Sequence, residues 1–102
     1  MDVLIDIKNR FGTTEIQIDG DNKKMWINGK NVATDVDVFL SRLFGITALW
    51  GKEYYHDTLD AEEFSLYITD GKQTQKVHCK GDYPINYGEL KDLIFEVQNG
   101  QN

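Results

Sequence analysis

Apolar and polar residues alternate with a period of two over three stretches early in the chain. Val3, Ile5 and Ile7 alternate with Asp2, Asp6 and Lys8, Ile16 and Ile18 with Glu15, Gln17 and Asp19, and Met25 and Ile27 with Lys24, Trp26 and Asn28. Side chains point to opposite faces along an extended chain, so each stretch reads as a strand with one buried face. Asn9-Arg10-Phe11-Gly12, Asp19-Gly20-Asp21-Asn22 and Asn28-Gly29 supply the turns, and Asn28-Gly29 ends the third strand. The period then changes. Val36, Phe39, Leu40 and Leu43 stand at helical spacing behind Thr34, whose hydroxyl is placed to cap the helix, and Gly45 is placed for a left-handed stop.

The second part of the chain repeats this plan. Ala48–Tyr55 reads as a strand with a bulge at Gly51, Phe64, Leu66 and Ile68 alternate, Asp70-Gly71 marks a hairpin, and Val77 and Cys79 continue the alternation. Gly81-Asp82-Tyr83-Pro84 breaks the pattern. Asn86 with Glu89 reads as a capping box, and Ile85 with Leu90 as a hydrophobic staple. Leu90, Leu93, Ile94 and Val97 form the second helical stripe, stopped at Asn99-Gly100.

Overlaying the two parts at an offset of about 50 residues aligns Ile16 and Ile18 with Leu66 and Ile68, and Leu40 and Leu43 with Leu90 and Leu93. The expected fold is α+β. Two βββα-like halves, residues 1–46 and 47–102, share one interior in a single domain. They form one antiparallel sheet of about six strands with two helices packed on one face.

Composition narrows the functional classes. The chain has 102 residues with 17 Asp and Glu against 11 Lys and Arg, a net charge of -6. Such a surface repels phosphate backbones, so direct nucleic-acid binding is disfavoured and a protein partner with a basic surface is favoured. The single cysteine, Cys79, allows no internal disulfide, and no segment is apolar enough for a membrane span, so a cytoplasmic setting is expected. No leader-like pattern opens the chain.

Candidate chemistry is sparse. His56, Asp57, Asp60, Glu62 and Glu63 hold metal-ligating groups, but their spacing fits no zinc or calcium pattern and reads as a solvated acidic loop. His78 and Cys79 are strand neighbours and point to opposite faces, so they form no nucleophile–base pair. No serine elbow or phosphate loop is present, and no cofactor or catalytic residue is expected.

Binding is the better expectation. Trp26 and Tyr67 fall out of phase with the apolar positions of their strands. With Tyr54 they are expected on a helix-free sheet face as an aromatic anchor. Asp35, Asp37, Asp57, Asp60, Glu62 and Glu63 are expected to form a negative rim around it. The chain thus reads as a small acidic stoichiometric inhibitor that blocks a basic partner surface. It is like toxin-immunity and phage anti-defence proteins in general character only. The alternatives are a small-molecule or peptide-binding module using the aromatic face, and a small homodimeric enzyme whose site is assembled only in space. Pairing of edge strands or stacking of aromatic faces makes a homodimer a further expectation.

Overall fold

The computed structural model describes residues 1–100; the last two residues of the expected second half lie outside the described residues. The element order is β1 (Asp2–Asn9), β2 (Gly12–Asp19), β3 (Lys24–Ile27), β4 (Lys30–Val32), α1 (Val36–Thr47), β5 (Glu53–Tyr55), β6 (Glu63–Thr69), β7 (Thr74–Lys80) and α2 (Tyr87–Asn99). The strands form one sheet in the order β4-β3-β2-β1-β6-β7-β5. The fold is α+β. Its sheet has seven strands among the described residues, and it is mixed, because β5 runs parallel to β7.

Both departures from a six-stranded antiparallel sheet have local causes. Asn28 and Gly29 have φ of 51° and 79°. Two consecutive positive φ values make the tight two-residue turn that matches strand twist. The chain therefore doubles back after β3 and pairs Met25 with Val32 and Ile27 with Lys30. At the other edge only Glu53–Tyr55 of the expected Ala48–Tyr55 strand is extended. Helix α1 runs through Gly45 to Thr47, so Gly45 is not a left-handed stop. Trp50 then turns inward. Its ring meets Phe64 edge-on at 5.9 Å, and its Nε1 donates to Asn86 Oδ1 at 2.6 Å.

That bond also explains the start of α2. The Asn86 side chain makes no cap bond; its Nδ2 donates to the Ile46 carbonyl, joining the end of α1 to the start of α2. Ile85 is fully exposed and staples nothing, while Tyr87 is buried. On α1 the cap is Asp35, one residue beyond Thr34, and its carboxylate accepts from the Val38 amide.

The halves meet at the centre of the sheet, where β1 pairs with β6 and sets Ile5 beside Leu66. Alternate strand residues, among them Val3, Ile5, Ile16, Met25, Phe64, Leu66, Val77 and Cys79, are buried in one cluster with Leu40, Leu43, Leu90 and Leu93 of the helices. Both helices therefore cover the same face, and the alternation read from the sequence matches the buried set. Among the described residues the opposite face carries no helix, and no helix is long and apolar enough to cross a membrane.

Candidate functional site

The strand register determines what the helix-free face displays. One cross-strand row runs Asn31, Trp26, Gln17, Leu4, Tyr67, Lys76. Trp26 and Tyr67 are three strands apart, or about 14 Å at ~4.8 Å per strand. Leu4 and Tyr67 are 36% and 38% exposed and Trp26 is half-buried. The Lys76 ammonium lies 5.7 Å from the centre of the Tyr67 ring, at cation–π range. Tyr54 does not join this row. It aligns with Cys79, whose side chain faces the helices, and packs against the core. The reason is the period of two: β5 starts at Glu53 in parallel register, which turns Glu53 and Tyr55 outward and Tyr54 inward.

The next row holds the most polar constellation of the face. Asp6 stands beside Ser65, Ser65 beside His78, and His78 beside Glu53. His78 Nδ1 is 2.8 Å from Glu53 Oε1, and Nε2 is 2.7 Å from Glu63 Oε2. Hydrogen bonds to Glu53 and then to Glu63 raise the His78 pKa above its ordinary value of 6.5. The His78 hydrogen bond in turn lowers that of Glu63. A doubly bonded imidazolium offers neither a lone pair nor a free N–H, so in this state His78 is a poor base and a poor metal ligand.

The expected negative rim is not one surface. Asp35 caps α1, and Asp37 pairs with Lys23 at 2.8 Å. Lys23 precedes β3 near Asp19, which pairs with Asp2, whereas Glu63 pairs with Lys8 at the far end of β1. Those ends are about 20 Å apart at ~3.3 Å per residue. Asp57 and Asp60 are exposed in the segment before β6. Asp60 and Glu63 border a shallow groove with Lys8, Arg10 and Lys80, so charges of both signs interleave there.

Glu62 faces inward and has a structural task. Its carboxylate, 15% exposed, accepts from Tyr87 Oη at 2.6 Å, Asn9 Nδ2 at 2.9 Å and Lys91 Nζ at 2.9 Å. Burial opposes its charge, but the bonds from Tyr87, Asn9 and Lys91 outweigh burial and hold its pKa below the ordinary value. The sequence placed Glu62 in a solvated loop because all three partners are remote in the chain.

The metal-ligating set does not converge. His56 is held by its backbone, donating to the Lys80 carbonyl, while Glu62 and Glu63 bond in opposite directions. Among the described residues no group of three His, Cys, Asp or Glu is placed to hold a metal ion. Cys79 is buried, and burial pushes its thiol up to about 12.

Two features escaped the sequence pattern. Leu49 and Ile85 are 97% and 105% exposed and flank a groove of about 410 Å³ that also touches Trp50, Tyr54 and Tyr83. In sequence Leu49 reads as part of a strand and Ile85 as a staple residue, whereas the structure leaves both outside the core. The second is a groove of about 550 Å³ on the open face, bordered by Leu4, Tyr67, Lys76, His78 and Lys52. It exists because β5 covers only part of β7. Comparison of the chain with family models, curated proteins and solved structures gave no match.

Proposed function

We propose that this chain is a non-catalytic protein-binding domain, an inhibitor that seats its helix-free sheet face on a partner and blocks it sterically. One observation carries the reading: both helices cover one face, and the other displays Trp26, Leu4 and Tyr67 in a single row. Half-exposed aromatic and aliphatic groups on a rigid sheet lose little side-chain freedom on contact, and such residues dominate binding hot spots. The net charge of -6 favours a basic partner and makes association sensitive to salt. The groove beside Tyr67 favours a second reading, a small-molecule or peptide-binding module.

The test is capture of a partner from extract of the native host, followed by measurement of its affinity. The double variant Trp26→Ala, Tyr67→Ala is expected to weaken binding at least about 30-fold, the scale of one lost hot spot. Val38→Ala, on the exposed side of α1, is expected to leave it unchanged. Undiminished binding by the double variant would refute the face.

A further inference from the structure

The parallel strand β5 pairs with His78, Cys79 and Lys80 only. The rest of β7, Thr74–Val77, has β6 on one side and no strand on the other among the described residues. The direction of its free hydrogen-bonding groups follows from its bonded end. His78 donates its amide outward to the Lys52 carbonyl, and the Lys80 carbonyl accepts from the His56 amide. Residues two apart in a strand present their backbone groups on the same side. Thr74 and Lys76 therefore aim their N–H and C=O groups at the open edge, while Gln75 and Val77 aim theirs at β6.

This edge separates two grooves. On the helix-free side lies the groove of about 550 Å³, with Lys52 and Lys76 on its border; of its two carboxylates, Asp6 stands on β1, two strands from β7, and Glu53 is engaged by His78. On the helix side lies one of about 340 Å³, bordered by Met1, Phe44 and Ile68 with Asp70 and Gln75 at its polar side, and Thr74 lines both. An added strand sends alternate side chains to opposite faces. One set would enter the helix-side groove against Met1, Phe44 and Ile68, and the other would meet Lys52 and Lys76. Lys52 and Lys76, with Lys72 in the adjoining turn, form no ion pair among the described residues.

We infer that the β7 edge receives an extended segment of a partner protein in which apolar residues alternate with acidic ones, added as an eighth strand. Strand addition draws its affinity from backbone bonds and its specificity from alternate side-chain sites, and both are present here. A second copy of this chain is a poorer occupant. Antiparallel pairing of two β7 edges about Thr74 would set Lys72 opposite Lys76 of the other copy, and pairing about Lys76 would set that lysine against itself; like charges directly opposite one another disfavour pairing. Lysines on an exposed edge commonly guard against such self-pairing, and here they leave an acidic strand as the admitted one. The inference is independent of the open-face reading, since the edge can be filled while Trp26 stays free.

The probe is a capped heptapeptide alternating valine with glutamate, titrated into the full chain and followed by amide NMR. Before addition, the Thr74 and Lys76 amides should exchange faster than those of Gln75 and Val77. On addition, shifts should centre on residues 74–77 and exchange at Thr74 and Lys76 should slow. A peptide of the same composition with valines and glutamates in separate blocks, and one alternating valine with lysine, should bind at least about tenfold more weakly, the scale of one lost charge-assisted bond. Lys76→Pro deletes the outward donor without touching a bond to β6 and should weaken binding by a similar factor. Should that variant misfold, the pair Lys52→Glu, Lys76→Glu keeps the backbone intact and should reverse the preference toward the valine–lysine peptide. Trp26→Ala should leave the peptide shifts at the edge in place while weakening binding of an open-face partner, which separates failure here from failure of the open-face reading. Absence of shifts at the edge, equal binding of the three peptides, or edge shifts that depend on protein concentration alone would each overturn the inference, the last by assigning the edge to a second copy.

Discussion

Replacing Glu62 with Gln tests the reading of this residue as a structural carboxylate. In the wild type one oxygen accepts from Asn9 and the other from Tyr87, and Lys91 Nζ lies 2.9 and 3.0 Å from the two. A glutamine keeps the shape but replaces one acceptor with a donor, so Tyr87 or Asn9 loses its acceptor and the Lys91 charge loses its partner. A hydrogen bond to a charged group contributes ~1.5–3 kcal/mol, and a buried group left unpaired costs ~1–3 kcal/mol. The Lys91 side is 45% exposed, so water weakens that part. The expected loss is about 2 kcal/mol by urea unfolding, or roughly 8–16 °C in melting temperature for a domain of this size. Tyr87→Phe alone should cost about 1–2 kcal/mol, and the double variant should cost less than the sum, because both changes break the same bond. The sign with pH is also determined. The folded-state pKa of Glu62 is depressed, so its stabilisation is present above the unfolded value of ~4.3 and is lost as pH falls through the folded one. The difference between wild type and Glu62→Gln should therefore shrink on acidification. A loss below ~0.5 kcal/mol, the range of ordinary surface changes, would refute the assignment.

Other outcomes follow from the same geometry. His78 should titrate above 6.5 by NMR. Because its folded pKa is raised, its stabilisation is complete below the unfolded value and is lost as pH rises through the folded one, so His78→Gln should flatten the stability profile from about pH 6.5 upward. Gly81→Ala should destabilise the chain by more than the ~1–3 kcal/mol of backbone strain alone. At φ of 81° a Cβ would fall 2.0 Å from the His56 carbonyl oxygen, and denaturant unfolding measures the cost. Cys79 should resist a thiol reagent at pH 8 in the native protein and react once urea unfolds it, since its thiol is buried and pushed up to about 12.

The buried set was legible because period-two and helical spacing are local properties. Ile5, Ile16, Leu66 and Val77, and Leu40, Leu43, Leu90 and Leu93, fall inside where the pattern put them. Trp26 and Tyr67 are out of phase in sequence and face away from the helices in the structure. Features that depend on remote partners were not legible. Asn86 looked like a helix cap, yet Trp50 and Ile46 claim its amide from 36 and 40 residues away. Glu62 looked solvated until Tyr87 and Lys91 met it. Nothing local reveals that Trp50 leaves the expected Ala48–Tyr55 strand for the Phe64 ring, so that only Glu53–Tyr55 is extended. The register of β5, which turns Tyr54 inward, is set by β7, a strand some 25 residues later in the chain.

The place of β1 at the centre of the sheet has a consequence during synthesis. Ile5 obtains Ile16 as a neighbour almost at once, but Leu66 is made about 60 residues later. At ~5–20 residues per second the nascent chain carries an unsatisfied β1 flank for roughly 3–12 seconds. Throughout that interval the strand destined for the centre is the one most open to a wrong neighbour, and translation speed across residues 10–65 sets how long it waits.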